Sequence, residues 1–271
     1  MRILGLGDNT VDTYVDRALQ YPGGNAVNVA VMTHRLGADS HYLGCLGNDA
    51  GGDLILAALA AEGVGTERCR RRQADNARAY IGHRDGDRYF IRSTPGVRAQ
   101  YDFGPDDFAY MAGFDLIHTS IYSELDAHLT SIRPKRLLSF DFSNRWTPEY
   151  LDRVLPHCQV AFLSGAELSD DDARVLIRRC AAAGPHTVVV TRGPKPALAF
   201  QAGIEAAQPP LPTEVVDTLG AGDAFISAFL LAVLYNKPIG AALLDGAANA
   251  AVACREPGGF GHAAPWTDPD R

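Results

Sequence analysis

The chain has 271 residues, 46% of them hydrophobic and 21% charged, a composition that predicts a packed globular protein with one large α/β domain. The net charge of −7 and the lack of a long basic block argue against a nucleic-acid partner, so any anion must be bound by local groups. No apolar run reaches about 18 residues, and we therefore expect no membrane span.

The N-terminal segment "RILGLGDN" has the pattern of a strand and lacks the features of a signal peptide. Five scattered cysteines without zinc spacing indicate reduced thiols, and we expect a cytoplasmic protein. In "GLGDNT" at 5–10, Thr10 stands where a dinucleotide-binding turn has its third glycine. This departure argues against an NAD-linked dehydrogenase.

Two segments, 9–16 and 77–94, alternate polar and apolar residues. In the second, Asp85-Gly86 is a strong signal for a hairpin turn. We predict that both segments form half-exposed, antiparallel strands. They would build a small flap over one end of the main sheet, within a single domain that spans residues 1–271.

The middle of the chain alternates apolar strand-like runs with helical segments, which predicts a mostly parallel sheet covered by helices on both faces. Ligands in such sheets gather beyond the carboxyl ends of the strands. The predicted strands lie at 41–47, 115–122, 136–143, 160–165 and 187–193, and the predicted helices at 53–63, 124–132, 148–158 and 171–184.

The stretch "VVDTLGAGDAF" at 215–225 places three small residues before an acid and an apolar helical run. Without side chains, the backbone N–H groups of Gly220, Ala221 and Gly222 can approach an anion, and the helix adds the positive end of its dipole. Such a turn suits a phosphoryl group during transfer, and Asp223 could accept the proton of an attacking hydroxyl. The alternative is structural: Asp223 caps the helix and the glycines make a tight turn.

Two long motifs together resemble the signatures of the ribokinase-like (PfkB) carbohydrate kinases. "DTLGAGDAF" at 217–225 is similar to their C-terminal signature, and "GGNAVNVAVMTHRLG" at 23–37 to their glycine-rich N-terminal one. "GDNTVD" at 7–12 and "TVVVTRG" at 187–193 follow the order of the family's other landmarks. Two signatures separated by about 180 residues are far more specific than either alone.

The resemblance implies a three-layer α/β/α sandwich with a mostly parallel central sheet and a small β lid. It also implies that Asp223 is the catalytic base, that 220–222 form the anion hole, and that the lid covers a sugar. In relatives the lid also mediates dimers, so a homodimer is expected. The residues implied to bind or border the sugar are Asp8, Asn9, Asp12, Gly24, Asn25 and Asn28.

The same resemblance implies an ATP site and its ions. The residues implied to border ATP are Thr191, Gly193, Lys195, Gly220, Gly222, Asn249 and Gly259. Glu167 would meet Mg²⁺ through water, but "SGAE" at 164–167 carries Ser164 where relatives have Asn, which puts direct ligation in doubt. Asp217 and Thr218 would lie where relatives bind a monovalent cation such as K⁺. The prolines in "TRGPKPALAF" stiffen the expected nucleotide loop at 193–197.

Several of these residues also have a structural explanation. Asp12 alone would more often be a surface residue, and Asn25 could cap a helix that starts near Ala26. Asn28 lies one turn later, where Asn is a poor helix former, which favours a ligand role. Asp141 ends a strand at the ligand edge and either faces the phosphates or caps the next segment. His118 fits a packed position better than a catalytic one.

Flap arginines are usually solvated, although Arg78 and Arg92 could bind a substrate carboxylate bidentately. Within the family, "GDNTVDTY", "GGNAVNVAV" and "FDFS" resemble the members that phosphorylate fructosamines, sugars joined to an amino acid through its amine. We therefore predict an ATP-dependent kinase of the 6-hydroxyl of a fructosamine such as fructoselysine. The alternatives are another ketose or nucleoside kinase of this family and a non-catalytic sugar-binding sensor.

Overall fold

Strands and helices alternate through most of the computed structural model, which describes residues 1–84 and 87–267. In chain order the elements are β1 (Arg2–Leu6), β2 (Thr10–Tyr14), β3 (Leu19–Gly23), α1 (Asn25–Arg35), β4 (Asp39–Leu43), β5 (Cys45–Gly47), α2 (Ala50–Glu62), β6 (Arg70–Arg72), β7 (Arg78–Arg84), β8 (Asp87–Thr94), α3 (Pro105–Met111), β9 (Leu116–Ser120), β10 (Leu137–Asp141), α4 (Pro148–Val154), β11 (Val160–Ser164), α5 (Asp170–Ala182), β12 (Thr187–Arg192), β13 (Lys195–Gln201), β14 (Ile204–Gln208), α6 (Ala221–Leu234), α7 (Ile239–Ala253) and β15 (Ala264–Pro265). The predicted Asp85-Gly86 turn lies outside the described residues.

The central sheet has eight strands in the order β14-β13-β12-β11-β10-β9-β1-β4. The six strands from β12 to β4 run parallel, while β13 and β14 add an antiparallel edge. The expected α/β/α architecture with a mostly parallel sheet is therefore confirmed. The two edge strands, which follow β12 through tight turns, were not predicted from the sequence.

Successive strand residues point to opposite faces of the sheet, and each face buries a separate core. Leu4 and Ile117 pack against α3, α4 and α5, whereas their neighbours Ile3 and Leu116 pack against α1, α6 and α7. The helix predicted at 124–132 is wrong, because this stretch forms short 3₁₀ turns beside β9. The carboxyl ends of β1, β9 and β10 thus meet the start of α1 and of α6.

A second sheet has the order β15-β3-β2-β7-β8 and contains both segments that were predicted as flap strands. The prediction of half-exposed, wholly antiparallel strands is wrong in two respects. β2 pairs with β7 in parallel, and four of the five residues of β2 are buried. The reason is that β2 is a central strand, with α2 packed near Val11 and the rings of Tyr14 and Tyr21 packed on its other face.

None of the helices within residues 1–84 and 87–267 combines the length and the apolar character that crossing a membrane requires.

Candidate active site

The N-terminus of α6 is built by a backbone that only glycine allows. Gly220 occupies the N-cap position with φ of 77°, a left-handed conformation that side chains disfavour. A Cβ on Gly220 would lie 2.8 Å from the Gly259 carbonyl oxygen, so the two loops approach closely. At Gly222 an added Cβ would meet open space. The start of this helix at Gly222 therefore borders a space that a ligand can reach, whereas the N–H of Ala221 donates to the Thr218 carbonyl at 3.3 Å.

Asp223 lies in the first turn of α6 and meets two asparagines of α1. The Nδ2 atom of Asn25 donates to its Oδ1 at 2.7 Å, and Nδ2 of Asn28 donates to its Oδ2 at 2.6 Å. Because both donors belong to α1, they hold the carboxylate in one orientation. The N-cap of α6 is Gly220, so Asp223 does not cap this helix as the structural alternative assumed.

Asn25 connects Asp223 to two further polar groups of the site. Its Nδ2 atom also donates to Asp141 Oδ2 at 3.0 Å, and its Oδ1 lies 2.9 Å from Nε2 of His118. Since an amide oxygen only accepts, His118 must carry its proton on Nε2. Its Nδ1 then accepts from the hydroxyl of Ser139 at 3.0 Å. This arrangement sets which way the Asn25 amide faces.

His118 is fully buried, and burial lowers its pKa to about 3. The ring is therefore neutral at physiological pH, as the donor and acceptor pattern around it requires. The expectation that His118 is packed is correct. What the sequence did not reveal is that its packing orients an amide that contacts Asp223.

Asp141 is a second carboxylate next to Asp223. Burial raises its pKa to about 7, and the negative charges of Asp223 and Asp8 act in the same direction. The backbone N–H of Ser143 donates to its Oδ1 at 2.8 Å and favours the charged form. Asp141 thus lies at the carboxyl end of β10 and binds the turn that follows, as the capping explanation expects, while its position near the phosphates stays a prediction.

Asp8 is buried beneath the site and is held by four donors. The backbone N–H groups of Asn25 and Ala26 donate to it at 2.7 and 3.4 Å, and the hydroxyls of Ser120 and Ser123 donate at 2.8 and 2.9 Å. A carboxylate at a helix N-terminus satisfies unpaired N–H groups and complements the helix dipole. Asp8 therefore positions α1, with Asn25 as its first residue.

Asn9 is likewise buried, and its Nδ2 donates to the hydroxyl of Tyr42 and to the carbonyl of Cys45. Gly24 has φ of 107°, and a Cβ there would lie 2.5 Å from Cα of Asn9, so the N-terminal signature needs glycine for this close approach. Asp12 is buried on β2, and a Cβ on Gly23 would overlap its carboxylate. These residues share the region around the start of α1.

The two flap arginines lie across the second sheet from Asp12. Neighbouring strand residues face opposite sides, and Nη1 of Arg78 donates to Thr13, the neighbour of Asp12, at 2.6 Å. The guanidinium of Arg92 stacks 3.7 Å from the ring centre of Tyr80, which pairs with Thr13. Within one chain the structure does not bring these arginines to the pocket that Asp12 faces.

The expected nucleotide residues are more dispersed. Lys195 begins β13 after a tight turn rather than lying in an open loop, and its Nζ donates to the carbonyl oxygens of Ala166 and Leu168. The Thr191 hydroxyl contacts the Leu163 carbonyl at 3.4 Å. Asn249 of α7 donates to the Ala224 carbonyl at 2.8 Å, which ties α7 to the first turn of α6.

The residues expected near metal ions do not form a ligand cluster. No group of three or more His, Cys, Asp or Glu side chains suited to a metal occurs in the described ranges. Glu167 is exposed at the carboxyl end of β11. The carboxylate of Asp217 accepts from the Tyr14 hydroxyl and from the N–H groups of Leu219 and Gly258, so hydrogen-bond donors surround it, while Thr218 is exposed.

Comparison with protein families places the chain among carbohydrate kinases. A family model described as "pfkB family carbohydrate kinase" matches residues 4–265. The fructosamine kinase FrlD of Bacillus subtilis is 38% identical over 270 residues, which cover 98% of this chain and 95% of that protein. The fructoselysine 6-kinase of Escherichia coli is 32% identical over 247 residues, which cover 91% and 94%.

Solved structures agree on the fold. A fructokinase from Xylella fastidiosa with bound ATP superposes with a TM-score of 0.79 at 23% identity, covering 96% of this chain and 94% of that one. A ribokinase from Arabidopsis thaliana in complex with ribose and ATP gives a TM-score of 0.81 at 20% identity, with the same coverage.

Proposed function

Because the chain belongs to the pfkB family of carbohydrate kinases, and is therefore a phosphotransferase that acts on a sugar hydroxyl, we propose that it transfers the γ-phosphoryl group of ATP to the 6-hydroxyl of a fructosamine. The observation that carries the proposal is the fixed Asp223 carboxylate beside the open N-terminus of α6. The identities of 38% and 32% with a fructosamine kinase and a fructoselysine 6-kinase support this acceptor class.

In this mechanism the acceptor hydroxyl lies between Asp223 and the terminal phosphate. The oxygen attacks phosphorus, its proton passes to Asp223, and ADP leaves. The N–H groups of 220–223 stabilise the charge that develops on the outer phosphoryl oxygens. In a loose transition state the proton leaves late, so a carboxylate is a strong enough base.

The asparagines have two tasks in the proposed mechanism. Asn25 and Asn28 hold the Asp223 carboxylate, and with sugar bound they would share their amide groups with its hydroxyls. The buried Oδ1 atom of Asn28 has no hydrogen-bond partner among the described residues. A sugar hydroxyl would satisfy this acceptor, while Asp12 would approach the sugar from the flap.

ATP would bind along the carboxyl edge of β11 and β12, beside Thr191, Gly193 and Lys195. Glu167 is exposed, and the described residues contain no group of three or more His, Cys, Asp or Glu side chains that could hold a metal, so we propose that Mg²⁺ arrives with ATP and that Glu167 contacts it through water. Mg²⁺ supplies charge neutralisation on the phosphates when bound. We propose no K⁺ ligation by Asp217, because three donors already occupy its carboxylate.

A substrate panel tests the function. Purified protein with ATP and Mg²⁺ is offered fructosamines, free fructose, ribose and nucleosides, and ADP release is measured together with phosphorus NMR of the product. We expect turnover of a fructosamine, with the phosphate on the 6-oxygen. Turnover of a free ketose or nucleoside alone would favour another member of the family. Sugar binding without product from any acceptor would favour a sensor.

We also propose that a second copy of the chain covers the flap. Edge strand β8 exposes Tyr89, Phe90 and Ile91 by 42%, 63% and 47%, and such an edge invites pairing with another strand. Light scattering on the purified protein should give twice the chain mass, and Phe90→Lys should shift it toward the monomer. A wild-type protein that is monomeric at micromolar concentration would contradict this proposal.

A further inference from the structure

A mostly buried arginine, Arg98, pairs with Glu124, the residue that follows the Asp8 ligand Ser123. Arg98 belongs to the segment that leads from β8 to α3, and its side chain is only 20% exposed. Its Nη2 meets Oε1 of Glu124 at 3.4 Å, a long contact for a charged pair. Its Nε is buried and has no acceptor among the described residues. A guanidinium that is shielded from water and so poorly bonded is costly to maintain without a ligand.

Glu124 connects this arginine to the sugar end of the site. It directly follows Ser123, whose hydroxyl donates to Asp8, and Asp8 in turn binds the backbone of Asn25. Its carboxylate is 56% exposed, so a ligand can reach it. Arg98 and Glu124 therefore form a pair of opposite charges. Three hydrogen bonds, through Asp8 and Asn25, connect Ser123, the neighbour of Glu124, with Asp223.

Tyr101 is a buried residue on which the charges of Asp8, Glu124 and Arg98 act. Its hydroxyl is buried and has no hydrogen-bond partner among the described residues. Burial raises its pKa well above the usual range, and among the charges that act on it are Asp8, Glu124 and Arg98. The Tyr101 hydroxyl is thus a second buried polar group without a hydrogen-bond partner among the described residues, in addition to the Arg98 Nε.

We propose that Arg98 and Glu124 bind the amino-acid part of the fructosamine: Arg98 receives its carboxylate and Glu124 its ammonium group. This inference rests on the proposed function. The amino-acid end of the substrate carries a carboxylate and an ammonium group on one carbon. It can therefore replace Glu124 as the partner of Arg98 and, at the same time, Arg98 as the partner of Glu124. Arginine holds a carboxylate through two parallel N–H···O bonds, which are stronger than the single 3.4 Å contact that they would replace.

The test compares fructoselysine with two analogues that each lack one charge. Fructosyl-cadaverine lacks the carboxylate, and fructosyl-6-aminohexanoate lacks the α-ammonium group. We expect Arg98→Met to lower kcat/KM for fructoselysine by about 10- to 100-fold and to change it by less than about threefold for fructosyl-cadaverine. Glu124→Gln should reduce turnover of fructoselysine by about 3- to 10-fold and spare fructosyl-6-aminohexanoate.

Arg178→Met on α5, where the arginine side chain is 65% exposed and pairs with Glu205, is the matched control and should leave all three values unchanged. Thermal unfolding of each variant verifies that it is folded, and the exposed Glu124→Gln change tests the subsite even if Arg98→Met is unstable. Comparison of kcat/KM for fructosyl-glycine and fructoselysine shows whether the subsite requires the distance between sugar and carboxylate that the lysine side chain provides.

Equal turnover of all three lysine-type substrates by the wild type, or an equal loss on all of them in Arg98→Met, would overturn the subsite while leaving the proposed function intact. If no fructosamine is phosphorylated at all, both proposals are wrong.

Discussion

The acceptor side and the nucleotide side of the site are built differently. On the acceptor side, buried side chains form one continuous hydrogen-bonded network that runs from His118 through Asn25 to Asp223. On the nucleotide side, Gly193, Lys195 and Glu167 are exposed, and the N–H groups of the α6 turn are the main feature. The difference indicates that precise geometry is needed where the proton moves, whereas nucleotide binding relies on backbone and exposed loops.

The largest effect is expected at the end of the buried network. Asp223→Asn keeps the size of the side chain but cannot accept the hydroxyl proton, so kcat should fall by about 10²–10⁴-fold. Sugar affinity, measured by calorimetry, should change by less than about threefold because binding needs no base. A variant with near wild-type kcat would show that another group takes the proton.

A smaller loss is expected where the network begins. His118→Leu removes the donor to Asn25, so its amide is no longer held toward Asp223, and kcat should fall by about 10- to 100-fold with little change in KM for ATP. His118→Gln retains an N–H donor and should recover much of the loss. Equal losses in both variants would indicate a packing defect rather than a positioning role.

Asp141 offers a test of this network through pH. Its pKa is about 7 in the folded protein and about 3.8 when unfolded, so the folded state holds a proton that the unfolded state releases between these values. Its contribution to the free energy of unfolding therefore falls as pH rises from about 4 to 7. As pH rises across that range, the free energy of unfolding of Asp141→Asn, measured in urea titrations, should increase by about 2–4 kcal/mol relative to that of the wild type. Any effect of the substitution that does not depend on pH adds a constant to this difference. A difference independent of pH would contradict the raised pKa.

The smallest effect is expected on the nucleotide side. Lys195 is exposed, and its ammonium group contacts only backbone carbonyls among the described residues, so Lys195→Ala should change KM for ATP by less than about threefold. A loss of tenfold or more would show that Lys195 turns toward the phosphates when ATP binds. The contrast between the two sides would then be weaker than we describe.

The sequence carried enough information for the fold and for the glycine turn, because both depend on local patterns. Apolar strand runs predicted the sheet, and "GAGD" predicted an open helix start with an acid beside it. The burial of β2 could not be predicted from the sequence. Its alternation of polar and apolar residues is typical of a strand with one exposed face, but a strand that is packed on both faces can have the same pattern. The contacts of His118 and Arg98 join residues 93 and 26 positions apart, which no local pattern encodes.

A ternary complex with a non-hydrolysable ATP analogue and a fructosamine would test the central claim most directly. We predict that the acceptor hydroxyl lies about 2.6–3.2 Å from the Asp223 carboxylate and that the terminal phosphate accepts from the N–H groups of 220–223. A terminal phosphate bound away from the start of α6, or an Asp223 carboxylate without contact to the sugar, would contradict it.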